Sequence, residues 1–409
     1  MNVLGKRILK DKYNSIIFKK SRGRELYLVG GYIRDIFRGI YSNDRDFIVD
    51  KEIDKFVEEL NKIFHGTIIS FKKGNLKRIV LKNGTTFDFS KPQGTLHEDL
   101  SKRDFTINSI AWSPLMGIID PYNGLNDIGK RIIKCISIEN LNSDPLRIIR
   151  AYRFAAELNG SIETNTRNAL KLLNSSINTL SSERITLEVF NLLNSEHAAK
   201  YLEMAFYDSV LRKVFYNSYK TLQNNLRVIY KLERTIKSSI PNNLKALLNK
   251  TFSQNLSYKG LLCLEILMRN IRISKSNCYL LKLSNHIKKR IELFQRGDTV
   301  YKNKDINLQK KLFDIFNNAK AASIDLIIIE RKFDLLNDYR RYLRINKKSV
   351  LKTNEIINIC DIHQGKMLGY IIKELRRAEF ERRVKNRNMA ITYVKNIKDN
   401  ILHNISYQT

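Results

Sequence analysis

The chain has 409 residues, with 73 Lys and Arg against 41 Asp and Glu and a formal net charge of +32. That length calls for about two to four subdomains, and a hydrophobic fraction of 43% with 10% aromatics is enough to give each a core. The positive excess points to an anionic partner, nucleic acid before membrane, and the absence of any run of about 18 apolar residues excludes a membrane-spanning helix.

Residues 1–24 are basic and have no apolar signal core. Asp11 and the abrupt start of the first strand mark them as a basic N-terminal arm rather than a transit peptide. From 25 to 135, short apolar runs alternate with turns. Strands are predicted at 26–29, 47–49, 67–71, 78–81 and 86–89, with a helix over 51–64 and a hairpin turn at Asn83-Gly84. This reads as an α+β head with a mixed or antiparallel sheet. After Ser143 the character changes: of five prolines only Pro241 lies beyond Pro145, and apolar residues recur at helical spacing. Polar breaks near 194–196, 238–243 and 296–305 divide this helical part into subdomains. Cys135, Cys263, Cys278 and Cys360 are far apart, so free thiols in a reducing compartment are expected.

Three motifs carry chemistry. In the first, an apolar strand runs into Gly30-Gly31, a short helical segment carries Arg34 and Asp35, and a second strand opens with Asp44 and Asp46. Glycines let a backbone approach a triphosphate, and a helix start offers N–H groups to anions. Strand side chains alternate, so Asp44 and Asp46 face one side, where two carboxylates can hold hard divalent cations against substrate phosphates. Asp35 reads as a local cap or ion-pair partner, and Arg34 as the substrate contact. Asp88, between Phe87 and Phe89, is either a third carboxylate of the same site or a solvent-facing aspartate.

The second motif is EDLSKRDFTINSIAW, residues 98–112. Arg103 suits ribose or triphosphate oxygens and Asn108 suits fixing the loop, while Asp104 also fits as the cap of a helix. The third is SDPLRIIRAYRFAAEL, residues 143–158, where Pro145 suits a first helical turn. Arg147, Arg150 and Arg153 recur every three residues and share a face with Asp144, with no matching glutamates. Such a stripe favours bound anions. Asp144 would accept from an exocyclic amine and Arg147 would donate to a ring nitrogen or carbonyl, which accepts cytosine and adenine and rejects uracil and guanine.

These residues resemble the class II tRNA nucleotidyltransferase (CCA- or CC-adding) and bacterial poly(A) polymerase family of the DNA polymerase β-like superfamily. The resemblance lies in Leu28-Val29-Gly30-Gly31 with Arg34-Asp35, in Asp44 and Asp46, in Arg103 through Asn108, and in Asp144-Pro145-Leu146-Arg147 with Arg150 and Arg153. Ser182 through Ile185 with Glu188 match more weakly. It implies a nucleotidyltransferase head (25–135) followed by a helical neck reading the base (136–200), a helical body (201–300) and a basic helical tail along which tRNA lies (301–409). Asp44 and Asp46 are then the catalytic metal ligands, holding two Mg²⁺ ions. Gly30, Gly31, Arg34, Arg103, Asp104, Asn108, Asp144, Arg147, Arg150 and Arg153 form the nucleotide site.

The implied activity is addition of CMP, as CC or as full CCA, to the tRNA 3′ end from CTP and ATP with release of pyrophosphate. Adenylate addition to RNA 3′ ends, an A-adding tRNA enzyme and an inactive RNA-binding relative are the alternatives; intact Asp44, Asp46 and Arg103 argue against the last. Two departures stand out. Lys102 replaces a usual arginine, keeping charge but losing planar bidentate bonding. The link from Asp88 to Glu98 is short, which resembles enzymes that add two cytidines and leave the final A to a partner enzyme. His65, His97, His197, His286, His363 and His403 are isolated, so a phosphohydrolase activity is not expected. In the tail, Arg376, Arg377, Arg382, Arg383, Lys385 and Arg387 are the densest candidates for RNA backbone contacts, or a solvated face paired with Glu374, Glu379 and Glu381. A cytoplasmic place of bacterial type is expected, with organellar import open.

Overall fold

The computed structural model describes residues 3–71, 76–273, 279–303 and 307–406. Cys278 and the side chain of His403 lie outside what is described. The chain forms two compact units, one of residues 1–226 with 254–256 and 276–282, the other of 227–253, 257–275 and 283–409.

The first unit begins with two helices, α1 (Val3–Lys10) and α2 (Lys12–Lys20). Then come β1 (Leu26–Val29), α3 (Gly31–Phe37), β2 (Asp44–Val49), α4 (Ile53–Phe64), β3 (Thr67–Ser70), β4 (Leu76–Val80) and β5 (Thr86–Ser90). The head closes with α5 (Leu96–Ser101), β6 (Ala111–Ser113), β7 (Gly117–Ile119) and α6 (Gly124–Lys130). Seven strands form one sheet in the order β3-β4-β5-β2-β1-β6-β7. Only β2 and β5 pair in parallel, with Asp46 beside Asp88, and the other neighbours are antiparallel. The Asn83-Gly84 turn closes the β4–β5 hairpin, as its sequence predicts, with Gly84 at φ +81°.

Period-two alternation along β2 divides the sheet into two faces. Phe47 and, on β5, Phe87 and Phe89 are fully buried on one face, where Phe56 and Phe64 of α4 and Tyr13 and Phe18 of α2 pack against them. Phe47 stacks on Phe89 at 5.2 Å, and Phe18 meets Trp112 edge-on at 5.1 Å. Fully burying each of these rings is worth about 2–3 kcal/mol. Ile48 faces the other way, into a small cluster with Val29, Leu100 and Ala111, and Asp44 and Asp46 extend that face. Residues 3–20 are thus not a free arm. Ile8, Ile17 and Phe18 are buried, so the basic charges sit on the outer side of a packed helix pair. The three-residue strands β6 and β7 escape the sequence reading because they are too short to show alternation.

A two-stranded pair, β8 (Ile132–Ile133) and β9 (Ser161–Ile162), brackets α7 (Ile138–Ser143) and α8 (Leu146–Leu158). After them come α9 (Thr164–Leu172), α10 (Ser182–Asn194), α11 (Ala198–Tyr207) and α12 (Val210–Val214). Ile148, Ile149, Ala151, Tyr152 and Ala155 form the buried stripe of α8, which α10 and α11 cover. Asn159, at φ +47°, ends α8 in the left-handed conformation.

Helix α13 (Tyr219–Ser238) belongs partly to each unit. The second unit continues with α14 (Asn242–Leu248), α15 (Tyr258–Leu267), α16 (Asn285–Lys302), α17 (Leu308–Ala319), α18 (Ser323–Ile329) and α19 (Leu336–Lys347). It ends with α20 (Thr353–Cys360), α21 (Lys366–Phe380) and α22 (Arg387–Ser406), which share a core of Leu351, Ile356, Leu368, Ile371, Leu375 and Val394. The breaks near 194–196 and 238–243 fall between helices, and the one at 296–305 begins inside the last two turns of α16, which ends at Lys302. Its polar residues are internal partners: Asp298 is buried against Arg269 at 3.0 Å and Lys302 at 2.6 Å, and Gly297 lies against Ala319 and Leu326. No described helix is long and apolar enough to cross a membrane. Cys135, Cys263 and Cys360 are free.

Candidate active site

A cavity of about 470 Å³ within the first unit collects most of the residues singled out by sequence. Gly31, Arg34, Asp44, Asp46, Arg103, Asp104 and Asn108 line it from the head, and Asp144, Arg147, Arg150, Arg153 and Arg184 from the helices that follow. Of the four arginines on this last wall, three come from α8 and Arg184 reaches it because α10 packs beside α8.

The glycine pair shapes the floor. Gly30 has φ +74°, which turns the chain from β1 into α3, and its N–H donates to the Ile110 carbonyl at 3.0 Å. A Cβ there would stand 2.7 Å from Arg103 Nη1. Arg103 itself is lightly held: its Nη2 lies 3.4 Å from Asp99 Oδ1 and its Nη1 donates to the Asn108 carbonyl at 3.4 Å. Both contacts are long for charge-assisted bonds, which leaves donors free for an anion.

Asp44 and Asp46 project from alternate positions of β2 into the cleft, as the period requires. Asp44 accepts a short hydrogen bond from Thr86 Oγ1. The Asp46 side chain lines the cleft and is exposed along it. Crowding by the cleft walls pushes its pKa up to about 6; Arg103 opposes that shift, and the charges of Asp88 and Asp44 add to it. A carboxylate made costly in this way gains from a cation, so the donor set fits a hard divalent ion. Asp88 stands beside Asp46 in register, but both its oxygens are taken at 2.6 Å by Arg78. It shares a face of the sheet with Asp46 but is held by Arg78, and among the described residues no three His, Cys, Asp or Glu side chains form a group that could hold a metal ion.

Asp104 is not a helix cap; only a short 3₁₀ turn, Thr106–Asn108, follows it. Its carboxylate is a buried hub that accepts from the Phe105 N–H at 2.8 Å, Asn108 Nδ2 at 2.9 Å and Arg150 Nε at 2.9 Å. Burial alone would raise its pKa, but Arg150 and Asn108 outweigh that and hold it below the ordinary aspartate value. Asn108 Oδ1 in turn accepts from Arg34 Nη1 at 2.6 Å, while Arg34 Nε donates to Asp35 at 3.0 Å. Arg34, Asp104 and Asn108 therefore brace the wall of the cavity.

The arginine stripe of α8 does have matching glutamates. Glu188 of α10, buried at 4% exposure, takes Arg150 on one oxygen at 3.1 Å and Arg153 on the other at 2.8 Å. Glu157 adds a pair with Arg153 at 3.2 Å. The i,i+4 spacing of Arg153 and Glu157 was the available signal for the second partner. Asp144 pairs not with Arg147 but with Arg184 of α10, whose Nη2 lies 2.8 and 3.1 Å from its two oxygens. Arg147 donates to backbone carbonyls of Lys102 at 2.8 Å, Asn140 at 3.1 Å and Arg103 at 3.3 Å. No local spacing in the sequence announces either partner.

The tail candidates belong to the second unit. Arg377 pairs with Asp314 at 2.7 Å, Arg383 with Glu381 at 2.7 Å and Arg387 with Glu355 at 2.7 Å. Arg382 and Lys385 are exposed, and Arg376 is half-buried.

Residues 26–134 match the Poly A polymerase head domain family, and residues 161–217 match the family described as "Probable RNA and SrmB-binding site of polymerase A". The chain is 26% identical to the CC-adding tRNA nucleotidyltransferase of Synechocystis sp. over 90% of its own length and 93% of the relative's. It is 27% identical to the CCA-adding enzyme of Leuconostoc citreum, covering 93% of this chain and 94% of that one. Its fold is that of the Thermotoga maritima CCA-adding enzyme complexed with tRNA, with a TM-score of 0.71, 18% identity and coverage of 96% and 97%.

Proposed function

We propose that this chain, a member of the class II tRNA nucleotidyltransferase and poly(A) polymerase family, adds CMP to the 3′ end of tRNA from CTP, releases pyrophosphate, and stops after two additions. The observation that carries this reading is the single cavity in which the Asp44–Asp46 pair meets Arg103, Asp144 and Arg147. Asp44 and Asp46 would hold Mg²⁺, two ions by this reading, which when bound activates the terminal 3′-hydroxyl and neutralises charge on the leaving pyrophosphate.

The chain's own residues position and select. Gly30 and Gly31 keep side chains off the floor so that phosphates can come close, and Arg103 offers its free donors to them. Asp144 accepts the exocyclic amine of the base and Arg147 donates to the neighbouring ring acceptor. Cytosine and adenine satisfy both, whereas uracil and guanine leave a buried polar group unpaired. In the free protein Arg184 engages Asp144, and backbone carbonyls engage Arg147, so an entering base exchanges these bonds for its own.

The CC endpoint is supported by the link between β5 and α5. Lys102 Nζ donates to the Gln93 carbonyl at 3.1 Å, and the Gln93 N–H donates to Asp99 at 3.3 Å. Thr95 and Glu98 form a capping box, which fixes the residues that follow. A link this short and tethered has little freedom to remodel the pocket from C to A. A separate A-adding enzyme would then complete the end. Full CCA addition is the second reading, favoured by the near full-length similarity to the Leuconostoc citreum enzyme.

The test is a tRNA lacking its terminal CCA, given CTP and ATP separately and together. Two cytidines followed by arrest is the expected result. One further A when both nucleotides are present supports the second reading, and a long A tract overturns both.

A further inference from the structure

Arg45 lies between the two site carboxylates and points to the opposite face of the sheet, where it is fully buried at 0% exposure. Aromatic rings enclose its guanidinium: Tyr32 at 4.6 Å, and Tyr13 and Phe87 each at 5.5 Å. Its carboxylate partner is Asp11, at 2.8 Å. The two oxygens of Asp11 have separate tasks. Oδ1 accepts from the N–H groups of Tyr13 and Asn14, each at 3.0 Å, and so starts α2; Oδ2 accepts from Arg45. Buried Asn14 then ties α2 back to α1 through the Ile8 carbonyl at 3.1 Å.

We propose that Asp11 and Arg45 are positioning residues of the nucleotidyl-transfer centre. The N-terminal helix pair grips β2 from behind and fixes how Asp44 and Asp46 enter the cleft. The proposal rests on the reading of Asp44 and Asp46 as the ion-holding pair. A buried guanidinium stays buried only while its counter-charge is present. Without Asp11 it would seek water or another carboxylate, and in either case the backbone that carries Asp44 and Asp46 on its two sides must turn with it. If position 45 served stability alone, an apolar side chain among those rings would do as well, because buried ion pairs are often replaced by hydrophobic residues at no cost. What the pair supplies is a fixed orientation of the strand.

The experiment uses the full chain and follows Mn²⁺ binding by electron paramagnetic resonance with CTP present and tRNA absent, alongside turnover with Mg²⁺ and tRNA. Asp11→Asn keeps a good helix cap, because Asn caps as well as Asp, but removes the counter-charge. The Mn²⁺ midpoint and kcat should each worsen by about tenfold, with the KM for CTP little changed, as a sub-ångström misplacement of the carboxylates would give. Adding Arg45→Met removes the stranded cation, so the melting temperature should recover, while the Mn²⁺ midpoint should stay about tenfold worse because the contact that orients the strand is gone. An unmoved midpoint in Asp11→Asn, whether or not the melting temperature falls, overturns the proposal, and so does a double variant in which the native midpoint returns. Asp44→Ala in the same titration separates the two readings: if it binds Mn²⁺ normally, the ion site itself has been misassigned.

Discussion

Two groups of arginines look alike along the chain and differ in the fold. On α8, Arg150 and Arg153 share the buried carboxylate of Glu188, and Arg150 also holds Asp104, so each guanidinium is fixed from more than one side at the wall of a cavity. In the tail, Arg383 and Arg387 pair singly with Glu381 and Glu355 near the surface, while Arg382 and Lys385 face solvent. The same residue type thus builds a rigid wall in one place and a screened, adaptable surface in the other. What decides is whether a buried acid from a second helix is available. Rigid arginines suit the readout of one base, and surface arginines suit a backbone recognised by charge.

The contrast breaks most sharply at the acids. Glu188→Gln strands two guanidinium groups with one fewer charge between them. It should cost about 3 kcal/mol of stability in a denaturant titration, and nucleotide transfer with it. Glu355→Gln, the matching change in the tail, should leave the denaturation midpoint unmoved; equal losses in the two variants would erase the distinction. Asp144→Asn replaces an acceptor with an amide that can donate to the uracil carbonyl. Competition between CTP and UTP in single-turnover reactions should show preference falling by about tenfold to a hundredfold.

A pH series sharpens the same point. Asp104 has a lowered pKa in the fold, so the stability it contributes is complete above the unfolded aspartate value of about 4 and is lost as pH falls through the lower folded value. Asp104→Asn should therefore flatten the acid limb of melting temperature against pH. The smallest effect belongs to the tail. Replacing Arg382 and Lys385 by Ala should weaken tRNA binding modestly and reduce the salt slope by about two if both contact phosphates. An unchanged slope would leave those charges as a solvated face.

Much of the head was legible because its signals are local. Gly30-Gly31, the alternation of Asp44 and Asp46 and the Asn83-Gly84 turn each follow from the backbone preferences of a few adjacent residues. The partners were not legible. Asp11 reaches Arg45, Arg184 takes Asp144 and Glu188 takes Arg150 across long sequence separations, and only tertiary packing brings them together; Arg78 and Asp88 are the exception, facing each other across the Asn83-Gly84 hairpin. The basic start of the chain misleads for a related reason: its charges are conspicuous, but Ile8, Ile17 and Phe18, which make it part of the core, follow no obvious pattern in so short a stretch.

Gly30 joins two distant positions into one heritable unit. A methyl group there would stand 2.7 Å from Arg103 Nη1, so Gly30→Ala pushes the guanidinium aside as well as straining the turn at φ +74°. The two lesions should be less than additive, the double variant no worse than Gly30→Ala alone. A screen that scores each position alone would count their shared part twice.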